Sequence, residues 1–285
     1  AVRKSDGDIA TKTWEVEQKK SWFARLPVVR GVINFIDMLF TGVGVLMDAA
    51  KMSEEGTEEF EPSKFEKFVA GKLGKKAEDV MMFFAVIIAV VLAVLLFFML
   101  PTFLTSLLKD AIQSPLLLNL VDGLIRIVIL VLYMLGCTLM KDIKDVFRYH
   151  GAEHKTISCY EAGEELTVEN VRKYRTLHPR CGTSFLFVVI VVSILCSSIV
   201  FSYVNWQNLW VRVAMHLLLL IPVVGVTYEF NRFVGRHDNA VTRILSAPGM
   251  WLQNFTTNEP DDSMLEVAIE ALKLVLPEEQ GKDAW

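Results

Sequence analysis

Histidine and cysteine are scarce in this chain, five and four residues among 285, and several long stretches carry no charge at all. Four cysteines over this length exclude a disulfide-built scaffold and fit a reducing compartment. Cys137 and Cys196 fall inside apolar runs and read as small apolar filler. Cys159 and Cys181 lie between such runs, where either is available as a soft metal ligand. An excess of positive charge is also missing. Lys and Arg number 29 against 33 Asp and Glu, a net charge of −4, and no basic, aromatic-interleaved patch is present, which excludes a nucleic-acid partner. No P-loop, Ser-nucleophile elbow, cleavable signal peptide or inverted internal repeat appears. The Gly-containing stretch Ala247 to Gln253 lacks the spacing of a phosphate cradle.

Apolar residues make up 53% of the chain, and they are concentrated in blocks. Met81–Leu100 and Ser184–Val204 are free of charge. Leu116–Met140 and Trp210–Phe230 carry a few ionisable groups each. About 20 apolar residues cross the hydrocarbon core of a bilayer, so four transmembrane helices are predicted, and the fold class is a mainly α polytopic membrane protein. Between the second and third spans lie Lys141, Lys144, Arg148, Lys155, Arg172, Lys173, Arg175 and Arg180. The loop Pro101–Pro115 holds only Lys109. Asn205–Leu209 holds none and is flanked by Tyr203, Trp206 and Trp210, an interfacial belt. The positive-inside rule then places both termini and the central segment in the cytoplasm of a bacterial inner membrane, with the bilayer as partner and a homo-oligomer allowed.

The expected organisation is therefore 1–80, a cytoplasmic hairpin and membrane-surface helices; 81–140, spans one and two; 141–183, a His-rich helical segment; 184–230, spans three and four; and 231–285, a tail. Asp6-Gly7 between short alternating runs predicts a small β-hairpin. Val28–Met47 is apolar except for Arg30, Asn34 and Asp37 on one helical face, and it is interrupted by Gly31, Gly42 and Gly44. It reads as an amphipathic or re-entrant helix, or as an ordinary packed one. Ser53–Glu61 reads as an acidic linker and Pro62–Asp79 as a lysine-rich surface helix. In the tail, Ser263 and Glu266 read as a capping box. Leu265, Ile269, Leu272 and Leu276 form a stripe expected to seat on the central segment or on another subunit, and Pro277 ends the helix.

The chemistry is expected in Tyr149-His150-Gly151-Ala152-Glu153-His154-Lys155. Histidines at i and i+4 share a helical face and can grip one divalent metal. Glu153 lies about 100° round the helix, and the order His-x-x-Glu-His is that of the inverted zincins, where the Glu is a general base. Zinc is the metal expected. The second span is expected to continue as one helix through His154. A tetrahedral site needs further ligands, and His178 and Cys181 stand just before the third span, facing the same membrane surface. Glu161, Glu164 and Glu165 are alternative ligands. Glu229 is a further ligand, an orienting carboxylate or a partner of Arg232. Asp122 with Arg126, and Arg212 with His216, have helical spacing at membrane depth, where ionisable groups mark functional sites or snorkel to the interface.

These motifs resemble a known family. Arg148-Tyr149-His150-Gly151-Ala152-Glu153-His154-Lys155-Thr156, Leu166-Thr167-Val168-Glu169-Asn170-Val171 and His178-Pro179-Arg180-Cys181-Gly182-Thr183-Ser184-Phe185 are similar to the signatures of the YqhQ-like bacterial membrane proteins. So are Tyr228-Glu229, Thr256-Thr257-Asn258-Glu259-Pro260 and Glu266-Val267-Ala268-Ile269. The resemblance covers nearly the whole chain. It implies a multi-pass inner-membrane protein of unknown function, described as a metal-dependent enzyme, and it names no substrate. It also implies a glycine-rich segment ahead of the hairpin that the sequence from Ala1 onward does not contain. Three functions stay open: a metal-dependent hydrolase with Glu153 as base, a transporter or channel subunit, and an assembly scaffold with a structural metal.

Overall fold

The computed structural model describes residues 1–14, 22–54, 77–179, 181–201, 209–237 and 239–276. Most of the expected linker and lysine-rich helix (55–76), the loop with Tyr203 and Trp206, and Pro277 lie outside them. The predicted hairpin is present. Strands β1 (Val2–Arg3) and β2 (Ile9–Ala10) pair antiparallel with Val2 opposite Ala10, and Gly7 takes the left-handed φ of +95° that the turn requires.

Helix α1 (Val29–Glu54) runs unbroken through Gly31, Gly42 and Gly44. It does not turn back on itself, and Ser53 belongs to it rather than to a linker. A glycine is needed at Gly31 and at Gly225 for a different reason. A Cβ on Gly31 would lie 2.6 Å from the Tyr228 side chain, and one on Gly225 would lie 2.6 Å from the Val28 carbonyl. The two backbones meet there, and the contact is locked by Glu229, which takes both Arg30 Nε (2.5 Å) and Arg30 Nη2. Glu229 is thus the partner of Arg30, in place of a metal or Arg232.

Helix α2 (Ala77–Val94) passes through a π-helical turn at Leu95–Met99 into α3 (Leu100–Ser106). Pro101 explains the turn: it lacks an N–H and its ring crowds the carbonyl four residues back, which is that of Phe97. Helix α4 (Pro115–Thr138) starts with Ser114 as cap and Pro115 in its first turn. It stops at Thr138. Met140 is extended and α5 (Lys141–Glu161) begins afresh with Asp142 in its first turn. The expected single rod through His154 is therefore two helices, broken where the apolar run gives way to charge. A one-turn helix, α6 (Val168–Val171), leads to α7 (Gly182–Val200), α8 (Leu209–Arg236), α9 (Ala240–Thr256) and α10 (Asp262–Lys273).

Four helices are long and apolar enough to cross a membrane: Val29–Ser53, Phe83–Ser106, Pro115–Thr138 and Trp210–Arg236. The expected third span appears as α7, whose apolar stretch Leu186–Val200 is shorter. Helix α9, which the sequence reading did not identify, lies against α4 and α7. Leu252 and Phe255 meet Leu130, Met134, Phe187 and Ile190.

The two ends of the bundle differ. At the end where α4 begins, the Asp122–Arg126 pair and the Arg212/His216 face, expected separately, converge. Asp122 accepts from Arg126 Nε at 2.8 Å and from Thr105 at 3.1 Å, with Arg212 Nη2 at 3.9 Å and His216 Nε2 at 3.8 Å. Arg126 also donates to the Phe97 carbonyl at 3.3 Å, the group that Pro101 leaves without its helical donor. Removing one member of a buried ionic set strands the others and costs about 3–5 kcal/mol, whereas an exposed pair contributes under about 1 kcal/mol. Asp122→Asn is therefore expected to lower the melting temperature in lipid nanodiscs far more than Lys273→Ala, which breaks the exposed pair with Glu270. Equal shifts would overturn that reading of the cluster.

Candidate metal centre

The opposite end holds the histidines. Helix α5 buries Gly151, Ala152, His154, Lys155, Thr156 and Cys159 on one face. Ala152 and Cys159 form a core with Val171 and with Met264, Leu265 and Ile269 of α10, so the tail helix seats on the central segment as its stripe implied. Its cap is Asp261, which accepts from Met264 N at 3.1 Å, while Ser263 donates to Asp261 at 2.6 Å. The expected capping box thus gives way to a cap two residues earlier. The hairpin closes the far side of α10 through Arg3, which pairs with Glu266 at 2.5 Å.

Between α9 and α10 the chain crosses α5 as a strap, residues 257–261. Asn258 N donates to the Phe147 carbonyl at 2.9 Å. A Cβ on Gly151 would meet the Asn258 carbonyl oxygen at 2.1 Å, so only glycine admits the crossing. Ionic contacts flank it: Arg148 with Asp261 at 2.9 Å, buried Lys155 with Glu259, and Arg172 with Asp262 at 2.5 Å.

That crossing orients the first imidazole. His150 Nδ1–H donates to the Thr256 carbonyl at 2.8 Å, and its Nε2 accepts from the Cys181 thiol at 3.2 Å. His154 Nδ1–H donates to the Thr176 carbonyl at 2.5 Å, which leaves its Nε2 as the lone-pair nitrogen. One ligand atom from each of His150, His154 and Cys181 lies within 4.8 Å of the others. Tetrahedral bonds of about 2.0 Å to nitrogen and 2.3 Å to sulfur imply ligand–ligand edges of roughly 3.5 Å, so the three suit a zinc-sized ion with small adjustment. Main-chain carbonyls on the outer nitrogens fix tautomer and ring direction, as they do for metal-bound histidines. Burial works against charge on His150, but the bonds to Cys181 and Thr256 and the negative charge of Glu153 outweigh it, and its pKa is raised.

The other predicted residues fall as follows. His178 lies beside the cluster, its ring 5.7 Å from that of His154, and its Nε2 donates to Glu161 at 3.2 Å. Glu153 is exposed on α5 next to His154. Glu164 and Glu165 are in the exposed turn after α5. Cys159 is buried in the α5–α10 core and its thiol pKa is pushed up by that burial, so it is a packing residue. None of the four cysteines is in a disulfide. The sequence reading missed Gln253, which is fully buried and clamps His178 by accepting from its N–H (2.9 Å) and donating to its carbonyl (2.8 Å). A lone Gln on the apolar face of α9 was its signal. Thr176 and Thr256 act through main-chain carbonyls and leave no signal in residue type.

A bundle of apolar helices carrying an inward His/His/Cys cluster at one end defines a membrane-associated helical protein. The family model described as a protein of unknown function, DUF1385, matches residues 26–278, and the chain belongs to that family. It is similar to the uncharacterized protein YqhQ of Bacillus subtilis (strain 168), 30% identical over 283 residues, covering 97% of this chain and 86% of that protein. No solved structure matches.

Two outcomes are expected. Gly151→Ala should push the strap off α5, which hydrogen exchange would read as faster exchange at Asn258. Gly136→Ala, where a Cβ would meet nothing within 4 Å, should leave it unchanged; protection retained in Gly151→Ala would refute the close crossing. The bond from Ser263 and, after the opposing effect of burial, those from Met264 N and Arg148 hold the Asp261 carboxyl below the usual carboxylate range. Such a group stabilises the fold above its unfolded pKa, about 3.9, and that stabilisation is lost as pH falls through the lower folded value. Amides of α10 should therefore lose protection below about pH 4, and Asp261→Asn should flatten this dependence.

Proposed function

We propose that the chain is a metal-dependent hydrolase of the bacterial cytoplasmic membrane, with its centre on the cytoplasmic side. His150, His154 and Cys181 would hold one divalent ion, zinc by ligand chemistry. Three protein ligands leave a fourth position for water or substrate, the pattern of catalytic rather than structural zinc sites. The supporting observation is the pair of anchored imidazoles, each tied at Nδ1 to a main-chain carbonyl, with Nε2 of His150 on Cys181. The ion would supply Lewis acidity and lower the pKa of a bound water toward ~7. Glu153, exposed beside His154, would serve as the general base. The bond cleaved is a carbonyl or phosphoryl ester or amide presented at the membrane surface.

A second reading, a structural metal in an assembly scaffold, is favoured by His178, whose ring stands near His154 and would close the fourth position if it turned from Glu161. Elemental analysis and X-ray absorption of the purified protein separate the two. The hydrolase predicts stoichiometric zinc with three protein ligands and one light oxygen. Zinc should be lost in His154→Ala and kept in Glu153→Gln, with turnover lost in both. A fourth nitrogen would favour the scaffold, and no stoichiometric metal after resupply would sink both readings.

A further inference from the structure

Cys181 has a second neighbourhood. Besides facing His150, it lines a cleft of about 310 Å³ between α1, α7, α8 and α9. Small-molecule sites begin near this size and combine apolar walls with a few placed polar groups. Phe35, Met38, Val188 and Leu245 supply the apolar wall. Met38 and Leu245 are themselves exposed, so the cleft opens sideways from the bundle, toward lipid in a bilayer.

The polar groups carry a sign. Arg232 lines the cleft and is half-buried. The carboxylate acting on it is Glu229, and both oxygens of Glu229 are already taken by Arg30. Among the described residues no hydrogen bond or ion pair engages Arg232. Two guanidiniums thus share one carboxylate, and the unmatched cation is the one at the cleft wall. An apolar chamber open to lipid, with an unmatched guanidinium on its wall, is complementary to an anionic amphiphile.

We propose that this cleft binds one anionic phospholipid, its phosphate on Arg232 and an acyl chain against Phe35, Met38, Val188 and Leu245. Because Cys181 belongs to both the cleft and the cluster, the bound lipid sets its headgroup linkage beside the metal centre. That last step rests on the hydrolase reading; the binding does not.

The test is native mass spectrometry of the delipidated full-length protein in detergent, titrated with phosphatidylglycerol and, separately, with phosphatidylcholine. A charge-assisted guanidinium–phosphate bond contributes about 1.5–3 kcal/mol. Phosphatidylcholine has the same phosphate but offsets its charge with choline, so phosphatidylglycerol, which keeps a net negative charge for Arg232, should be retained about tenfold or more tightly. Arg232→Gln should erase the preference, Arg232→Lys should restore part of it, and Met38→Trp, which fills the cleft, should weaken both lipids. Retention should be the same in His154→Ala and in chelator-treated protein. If binding holds there while no hydrolysis is found in the wild type, the hydrolase reading falls and the lipid site stands. Equal retention of the two lipids, or a preference that survives Arg232→Gln, would overturn the proposal.

Discussion

The backbone crossing at Gly151 is the contact on which the rest of the centre depends. A helix ordinarily keeps other main chain at side-chain distance. Here the absent Cβ lets the Asn258 carbonyl approach α5 directly, and the strap that carries it brings the Thr256 carbonyl to His150 one residue earlier. The same strap then delivers Asp261 as the cap of α10, which buries Met264 and Leu265 against Ala152 and Cys159. Site orientation and core formation are therefore consequences of one close approach. A metal pair of histidines at i and i+4 would point in roughly the right direction on any helix. What holds each ring to one tautomer is the carbonyl behind it, supplied by chain far away in sequence.

Polarity along the bundle follows from where buried ionisable groups find partners. At one end, Asp122 gathers Arg126, Thr105, Arg212 and His216. The π turn before Pro101 contributes the Phe97 carbonyl to the same set. At the other end, Glu229 and Arg30 join α8 to α1 where Gly31 and Gly225 let the backbones touch. Between these ends the helices present mostly aliphatic surface, and many of those side chains are exposed, as expected of helices that face lipid rather than water. Charges at such depth are costly unless they are paired, and both sets are built from residues on different helices. Each set therefore specifies which helices neighbour one another.

Legibility tracked how far a property is local. Apolar runs marked α2, α4 and α8 because length and composition alone decide whether a helix can cross a bilayer. The Asp6-Gly7 turn was legible because it is a two-residue conformational preference. His150, His154 and Cys181 were named from residue type and spacing, and the structure brings these three together. The misses are non-local. Glu229 looked like the partner of Arg232 at i+3, and it is claimed by Arg30 from 199 positions away. Helix α9 was hidden because Pro248 interrupts its pattern, although Asn239 and Thr242 form a full capping box at its start. The break at Met140 was hidden because the residues of α4 and α5 each favour helix, and only the change from apolar to charged marks where the chain must turn.

Relative strengths decide which of these contacts governs the centre. Two of the ion pairs flanking the strap, Arg148–Asp261 and Arg172–Asp262, have both partners in reach of solvent, and pairs of that kind contribute under about 1 kcal/mol each. Full burial of a single side chain such as Leu265, 1% exposed, contributes about 1.5–3 kcal/mol. Docking of α10, rather than the charges around the strap, must then hold the Thr256 carbonyl in place behind His150. Thr176, behind His154, lies on a separate connection that Gln253 steadies through His178. The cluster therefore draws on three supports, α5 itself, the α9–α10 strap and the turn before α7, the last two linked through α9 by Gln253. An ion bound only by the assembled cluster would tie the three together, since binding the folded arrangement alone stabilises it by mass action.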